Sequence, residues 1–95
     1  MKMRTFVVED NPTIRENLIS TLEELAPVQT VGSAESEEEG AAWLNGHDGQ
    51  WDLAIVDLFL KKGNGLRILE ACRGRGALQK MVVFTNYATR EMRVR

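Results

Sequence analysis

Three places in this 95-residue chain carry residues that could do chemistry together. Glu9-Asp10 follows the apolar run TFVV. Asp57 closes LAIV. Thr85 closes MVVF. Each sits where a stretch fit for a buried strand ends. A carboxylate in a dry interior is costly unless it is paired or bound to metal. Carboxylates packed together also repel and raise one another's pKa. A hard divalent cation relieves both problems. Carboxylate oxygens, a backbone carbonyl and waters are the ligands Mg²⁺ prefers. Mg²⁺ in turn points to phosphate chemistry, because it screens an incoming phosphoryl group from the carboxylates. A carboxylate can itself be the nucleophile, giving an aspartyl phosphate. Thr85 offers a hydroxyl for a phosphoryl oxygen. The plainer reading takes each acid as a cap or turn former. The joint pattern, with all of them at carboxyl ends of strands, favours a site.

The elements that must position these residues alternate. Residues 4–9 read as a strand. Asn11 is a good N-cap and Pro12 suits the first helical position. Ile14, Leu18, Leu22 and Leu25 then form one helical stripe, closed by Pro27. Residues 28–34 form a second strand. Ser36 and Glu39 read as a capping box for a helix running to about Leu44. A loop over 45–50 leads to a third strand, 51–57. A helix follows from Gly65 to about Arg73, with Leu66, Leu69 and Cys72 on its core face and Gly74 and Gly76 after it. Residues 80–85 form a fourth strand, and Thr89 reads as the N-cap of a further helix. The order β-α-β-α-β-α-β-α predicts an α/β fold, a doubly wound parallel sheet with helices on both faces. In such sheets ligands bind at the carboxyl ends of the strands, where strand order reverses. With the first and third strands adjacent, the three acids share one crevice.

Composition narrows the function classes. Apolar residues make up 43% and charged residues 27%, with net charge −2, so one small globular domain is expected. The pI near 5.4 gives no sign of direct nucleic-acid binding or membrane affinity. Apolar runs are too short for a transmembrane helix or a signal peptide. The lone cysteine, Cys72, forms no internal disulfide, which suits a reducing cytoplasm. His47 and Cys72 cannot by themselves build a zinc site, and His47 reads as a solvated loop residue. The acidic run Glu37–Glu39 reads as a solvated helix start, and Lys61-Lys62 as solvated loop charges. Gly74-Arg75-Gly76 follows a helix rather than a strand, so it is no dinucleotide fingerprint. No phosphate-binding G-x-x-x-x-G-K-[ST] occurs. A dehalogenase-type phosphatase would need Asp-x-Asp, and Asp10 is followed by Asn11-Pro12. A phosphatase acting through Asp57 would want an acid two residues on, where Phe59 stands.

The stretches FVVEDN, LAIVDLFLKKGNGLRIL and VVFTNYAT resemble the bacterial response-regulator receiver domain of two-component signalling, along the whole chain and in order. The resemblance implies a flavodoxin-like three-layer sandwich with strand order 2-1-3-4-5. It implies that Asp57 accepts a phosphoryl group from a sensor histidine kinase or phosphotransfer protein. Glu9, Asp10 and Asp57 would hold Mg²⁺ with the backbone carbonyl of Phe59. Thr85 would be the hydroxyl that moves to the phosphoryl group. Leu58, Gly65, Asn86 and Tyr87 would form the periphery of the phosphate site. The proline common in that loop is absent, and Lys61-Lys62 stands near its place. Slow self-dephosphorylation is implied, but no enzyme in the ordinary sense.

The chain also departs from that pattern. The fifth strand, with the lysine that pairs with the phosphoryl group, and the fifth helix have no counterpart in 1–95. The expected domain is therefore a receiver lacking its last βα unit. Two consequences follow as expectations. The strand over 80–85 becomes an edge, which a homodimer or swapped dimer could cover. The first helix loses a packing neighbour. An output domain could follow downstream. The competing reading is a receiver-like interaction module that is never phosphorylated.

Overall fold

The computed structural model describes residues 2–85. Seven elements alternate: β1 (Met3–Val8), α1 (Pro12–Leu25), β2 (Val28–Ala34), α2 (Glu37–Gly46), β3 (Leu53–Asp57), α3 (Gly65–Ala71) and β4 (Lys80–Phe84). The four strands form one sheet in the order β2-β1-β3-β4. Every pairing is parallel. This is the doubly wound α/β sheet that the sequence pattern predicts, in the flavodoxin-like strand order that the resemblance implies. Asn86 and Tyr87, and the helix expected from Thr89, lie outside the described residues.

Sheet topology places the helices. The chain steps from β1 to β2 in one direction, then back across β1 to β3. Right-handed crossovers therefore put α1 on one face, and α2 and α3 on the other. Alternate strand residues serve the two faces. Phe6, Val8, Ala54 and Val56 point to the α2–α3 side and pack with Leu44, Trp51, Ile68 and Cys72. Burying each large side chain of this set stabilises the fold by about 1.5–3 kcal/mol. The Trp51 indole stays satisfied in this core by donating to the Leu44 carbonyl at 3.1 Å. On the other face α1 has no fully buried residue, and Leu25 is 78% exposed.

Local chemistry sets the helix starts. Asn11 Oδ1 accepts from the Ile14 N–H at 3.0 Å, with Pro12 opening α1. Asn64 Oδ1 accepts from the Arg67 N–H and caps α3. Ser36 Oγ accepts from the Glu39 N–H at 3.2 Å, and its hydroxyl donates to Glu39 Oε1, also at 3.2 Å. Three sequence readings need correction. Leu66 is 51% exposed, and Ile68 is the α3 residue buried in the core. The short α3 presents a face one step away from the one its leucines suggest. The strand expected over 51–57 begins at Leu53, because Trp51 turns into the core and Asp52 pairs with Arg4. His47 is not a free loop residue. It ends α2, its ring stacks on Trp43 with centroids 4.0 Å apart, and its Nδ1 lies 2.7 Å from the Trp43 carbonyl.

Candidate functional site

The carboxyl ends of β1 and β3 lie side by side, since Val8 pairs with Val56. The residues that follow must therefore meet. Glu9 continues β1, its N–H donating to the Ala34 carbonyl of β2 at 3.0 Å. Its side chain is fully buried. Asp57 ends β3 opposite Phe84 and is fully buried too. Asp10 is half-buried at the rim. One oxygen from each of Glu9, Asp10 and Asp57 lies within 4.8 Å of the others. This is the one cluster of potential metal ligands among the described residues.

Backbone donors hold the three acids in place. Glu9 Oε2 accepts from the Asn11 N–H at 2.8 Å. Asp57 Oδ1 accepts from the Phe59 N–H at 3.1 Å, which turns the chain sharply after β3. Asp10 Oδ2 accepts from the Lys61 N–H at 2.8 Å, so the loop after β3 folds over the β1 end. Arg15, on the first turn of α1, donates to the Glu9 carbonyl at 2.9 Å and pairs with Glu35 at 3.3 Å. The Leu58 N–H donates to the Phe84 carbonyl at 2.7 Å and ties the loop to β4, directly beside Thr85. Thr85 is exposed at that strand end. Phe59 is 41% exposed at the mouth of the loop.

Gly65 explains how the loop can pass so close to Asp57. Its N–H donates to the Leu58 carbonyl at 3.1 Å. A Cβ placed there would stand 2.6 Å from the Asp57 carbonyl oxygen, so no larger residue fits.

Electrostatics mark the cluster as incomplete without a cation or a proton. Glu9 is pushed up to about 8, first by burial and then by the neighbouring Asp10 and Asp57 carboxyls. Asp10 goes the other way. Its partial burial alone would raise it, but hydrogen bonds from the Glu9 carboxyl and the Lys61 N–H, with the Lys61 charge, hold it below the usual carboxylate value. Glu9 Oε1 is buried and receives no hydrogen bond. Such an orphaned oxygen, facing two more carboxylates, fits a hard cation by its donor chemistry.

The structure thus brings together Glu9, Asp10 and Asp57, with Phe59, Leu58, Gly65 and Thr85 around them. Sequence reasoning missed Arg15, whose spacing from Glu9 carries no motif, and the Lys61 N–H, which is a backbone group. It also took Glu37 for a solvated residue, whereas Glu37 is half-buried and accepts from the Asn64 N–H at 3.1 Å.

The family follows from this sheet and this cluster. Residues 5–95 match the response regulator receiver domain, and the chain belongs to that family. Solved structures of similar fold include a LuxR-family two-component response regulator from Aurantimonas sp. SI85-9A1. It is 19% identical over 98% of this chain and 69% of its own, with a TM-score of 0.77. The response regulator domain of Thermotoga maritima CheB is 17% identical, over 98% and 72% of the two chains, at 0.76. The receiver domain of AraT, a response regulator from Geobacillus stearothermophilus, is 24% identical, over 100% and 77%, at 0.73. No curated protein matches the sequence. No helix among the described residues is long and apolar enough to cross a membrane.

Proposed function

We propose that this chain is the phosphoacceptor switch of a cytoplasmic two-component system, with Asp57 as the residue phosphorylated. The observation that carries the reading is the buried acidic cluster, in which Glu9 Oε1 has no donor and Asp57 shares its crevice with two further carboxylates. Glu9, Asp10, Asp57 and the Phe59 carbonyl would hold Mg²⁺, which when bound neutralises the acids and the arriving phosphoryl oxygens. The chain's own residues do the rest. An Asp57 carboxylate oxygen attacks phosphorus, the P–N bond of a kinase or phosphotransfer-protein phosphohistidine breaks, and the imidazole leaves with its electron pair and takes up a proton. The Phe59 N–H on Oδ1 orients the carboxylate for that attack. Thr85, one residue beyond the Phe84 carbonyl that anchors the loop, supplies a hydroxyl for the new phosphoryl oxygens. Its movement biases two conformations of the β4 end. Hydrolysis of the acyl phosphate returns the switch slowly to its resting form.

The test is incubation of the protein with acetyl phosphate and Mg²⁺, followed by intact mass. A gain of one phosphoryl group is expected in the wild type and none in Asp57→Ala. Chelation of Mg²⁺ should abolish the gain. An unmodified wild type would favour an interaction module that never carries phosphate, and a gain that survives Asp57→Ala would move the nucleophile elsewhere.

A further inference from the structure

The turn over 61–64, between β3 and α3, is fastened at both ends. At one end the Lys61 N–H donates to Asp10 Oδ2 at 2.8 Å. At the other, two hydrogen bonds tie it to the first turn of α2. The Glu37 N–H donates to the Lys62 carbonyl at 3.0 Å, and Glu37 Oε1 accepts from the Asn64 N–H at 3.1 Å. Gly63 stands between them at φ +101°, a backbone state that suits glycine. A Cβ there would run into the Glu37 side chain. The turn and Glu37 therefore fit each other closely in shape as well as in hydrogen bonding. Asn64 also bridges back to Phe59 across the turn. One carboxylate on α2 is thus linked, through Asn64, to the backbone beside Asp57, and through the turn to Asp10.

We propose that Glu37 is a positioning residue for the acidic site: it fixes the 61–64 turn and, through it, the Lys61 N–H on Asp10 and the Phe59 backbone beside Asp57. The inference rests on the phosphoacceptor reading for its consequence, which is that α2 senses occupancy of the acidic site. The latch itself can be tested without that reading.

Amide hydrogen exchange by NMR on the metal-free full chain reads the latch. Glu37→Ala should speed exchange at both Asn64 and Lys61 by about five-fold, the loss of one hydrogen bond of ordinary net strength at a half-buried site. Amides of Val7 and Ile55 in the central strands should keep their rates, which separates local release from general loosening. Mg²⁺ titration of the same variant should show affinity weaker by a similar factor. Glu37→Gln keeps an oxygen for the Asn64 N–H and should restore exchange and affinity to within about two-fold of wild type. Faster exchange at Asn64 with Lys61 unchanged would overturn the proposal, as would unaltered Mg²⁺ affinity in Glu37→Ala or failure of Glu37→Gln to restore either. A wild type that takes up no Mg²⁺ would sink the metal reading instead, and the exchange rates would still decide whether Glu37 holds the turn over Asp10.

Discussion

Glu9→Gln should make the metal-free protein more stable near neutral pH and flatten its dependence on pH. Glu9 titrates near 8 in the folded chain, against an ordinary value of 4.5, chiefly because it is buried. Between those values the folded state keeps a proton that the unfolded chain has released. The unfolded state then binds fewer protons, so stability falls as pH rises. The favourable contribution is complete below about 4.5 and is lost as pH climbs through about 8. Converted at about 1.4 kcal/mol per tenfold change, the whole interval is worth about 5 kcal/mol, and roughly 3 kcal/mol of it is spent by pH 7. The crevice opens to water at Asp10, which screens the interaction, so about 2 kcal/mol at pH 7 is the effect to expect. Glutamine keeps the shape and removes the charge. Urea unfolding in chelator, at steps from about pH 5 to about pH 9, should show a falling midpoint for the wild type and a nearly level one for Glu9→Gln. Added Mg²⁺ should reverse the decline for the wild type alone, since it binds the folded state and replaces the proton. Parallel pH curves for the two proteins would refute the reasoning, because the buried charge would then not be the cause.

Other outcomes follow from named contacts. Gly65→Ala should cost roughly 1–3 kcal/mol or more in urea unfolding and disturb Mg²⁺ binding, because the new methyl meets the Asp57 carbonyl oxygen. Ile68→Ala should lose about 2–5 kcal/mol, whereas Leu66→Ala, on the solvent side of the same helix, should stay within about 1 kcal/mol of wild type by the same assay. Asn11→Ala should destabilise by about 1 kcal/mol, the usual loss of an N-cap, and the thermal unfolding midpoint should fall accordingly.

Much of the fold was legible because its signals are local and repeat. Asn11-Pro12 and Ser36 with Glu39 each mark a helix start by their own side-chain chemistry, whereas the Asn64 cap of α3 shows only in the folded chain. The ends of β1 and β3 are legible because an acid after an apolar run has few explanations. Leu66 misled because a seven-residue helix offers too few turns for a stripe to outvote its neighbours. Ile68 is fully buried with Cys72 four residues on, but the sequence reading joined Cys72 to the leucines at i−3 and i−6 instead. His47 looked free because its partner is the face of Trp43, and ring stacking leaves no trace in spacing. Glu37 looked like one acid among three at a dipole-favoured helix start. What distinguishes it is a turn distant in sequence that passes beside it, and only the folded chain brings the two together. The site's acids could be named from sequence, but the donors that orient them are mostly backbone N–H groups, which every residue has.

β1 and β3 are central neighbours in the sheet, yet α1, β2 and α2 separate them along the chain. Their pairing closes a long loop and belongs to the slow, non-local part of folding. The acidic cluster exists only after that pairing, since Glu9 and Asp10 come from one strand and Asp57 from the other. A partly folded chain with β1, α1 and β2 in place would have two of the acids and no Asp57 beside them. On the proposed phosphoacceptor reading, competence to receive a phosphoryl group is therefore itself a certificate that the two central strands have paired, and a nascent or damaged chain would stay silent in the signalling pool.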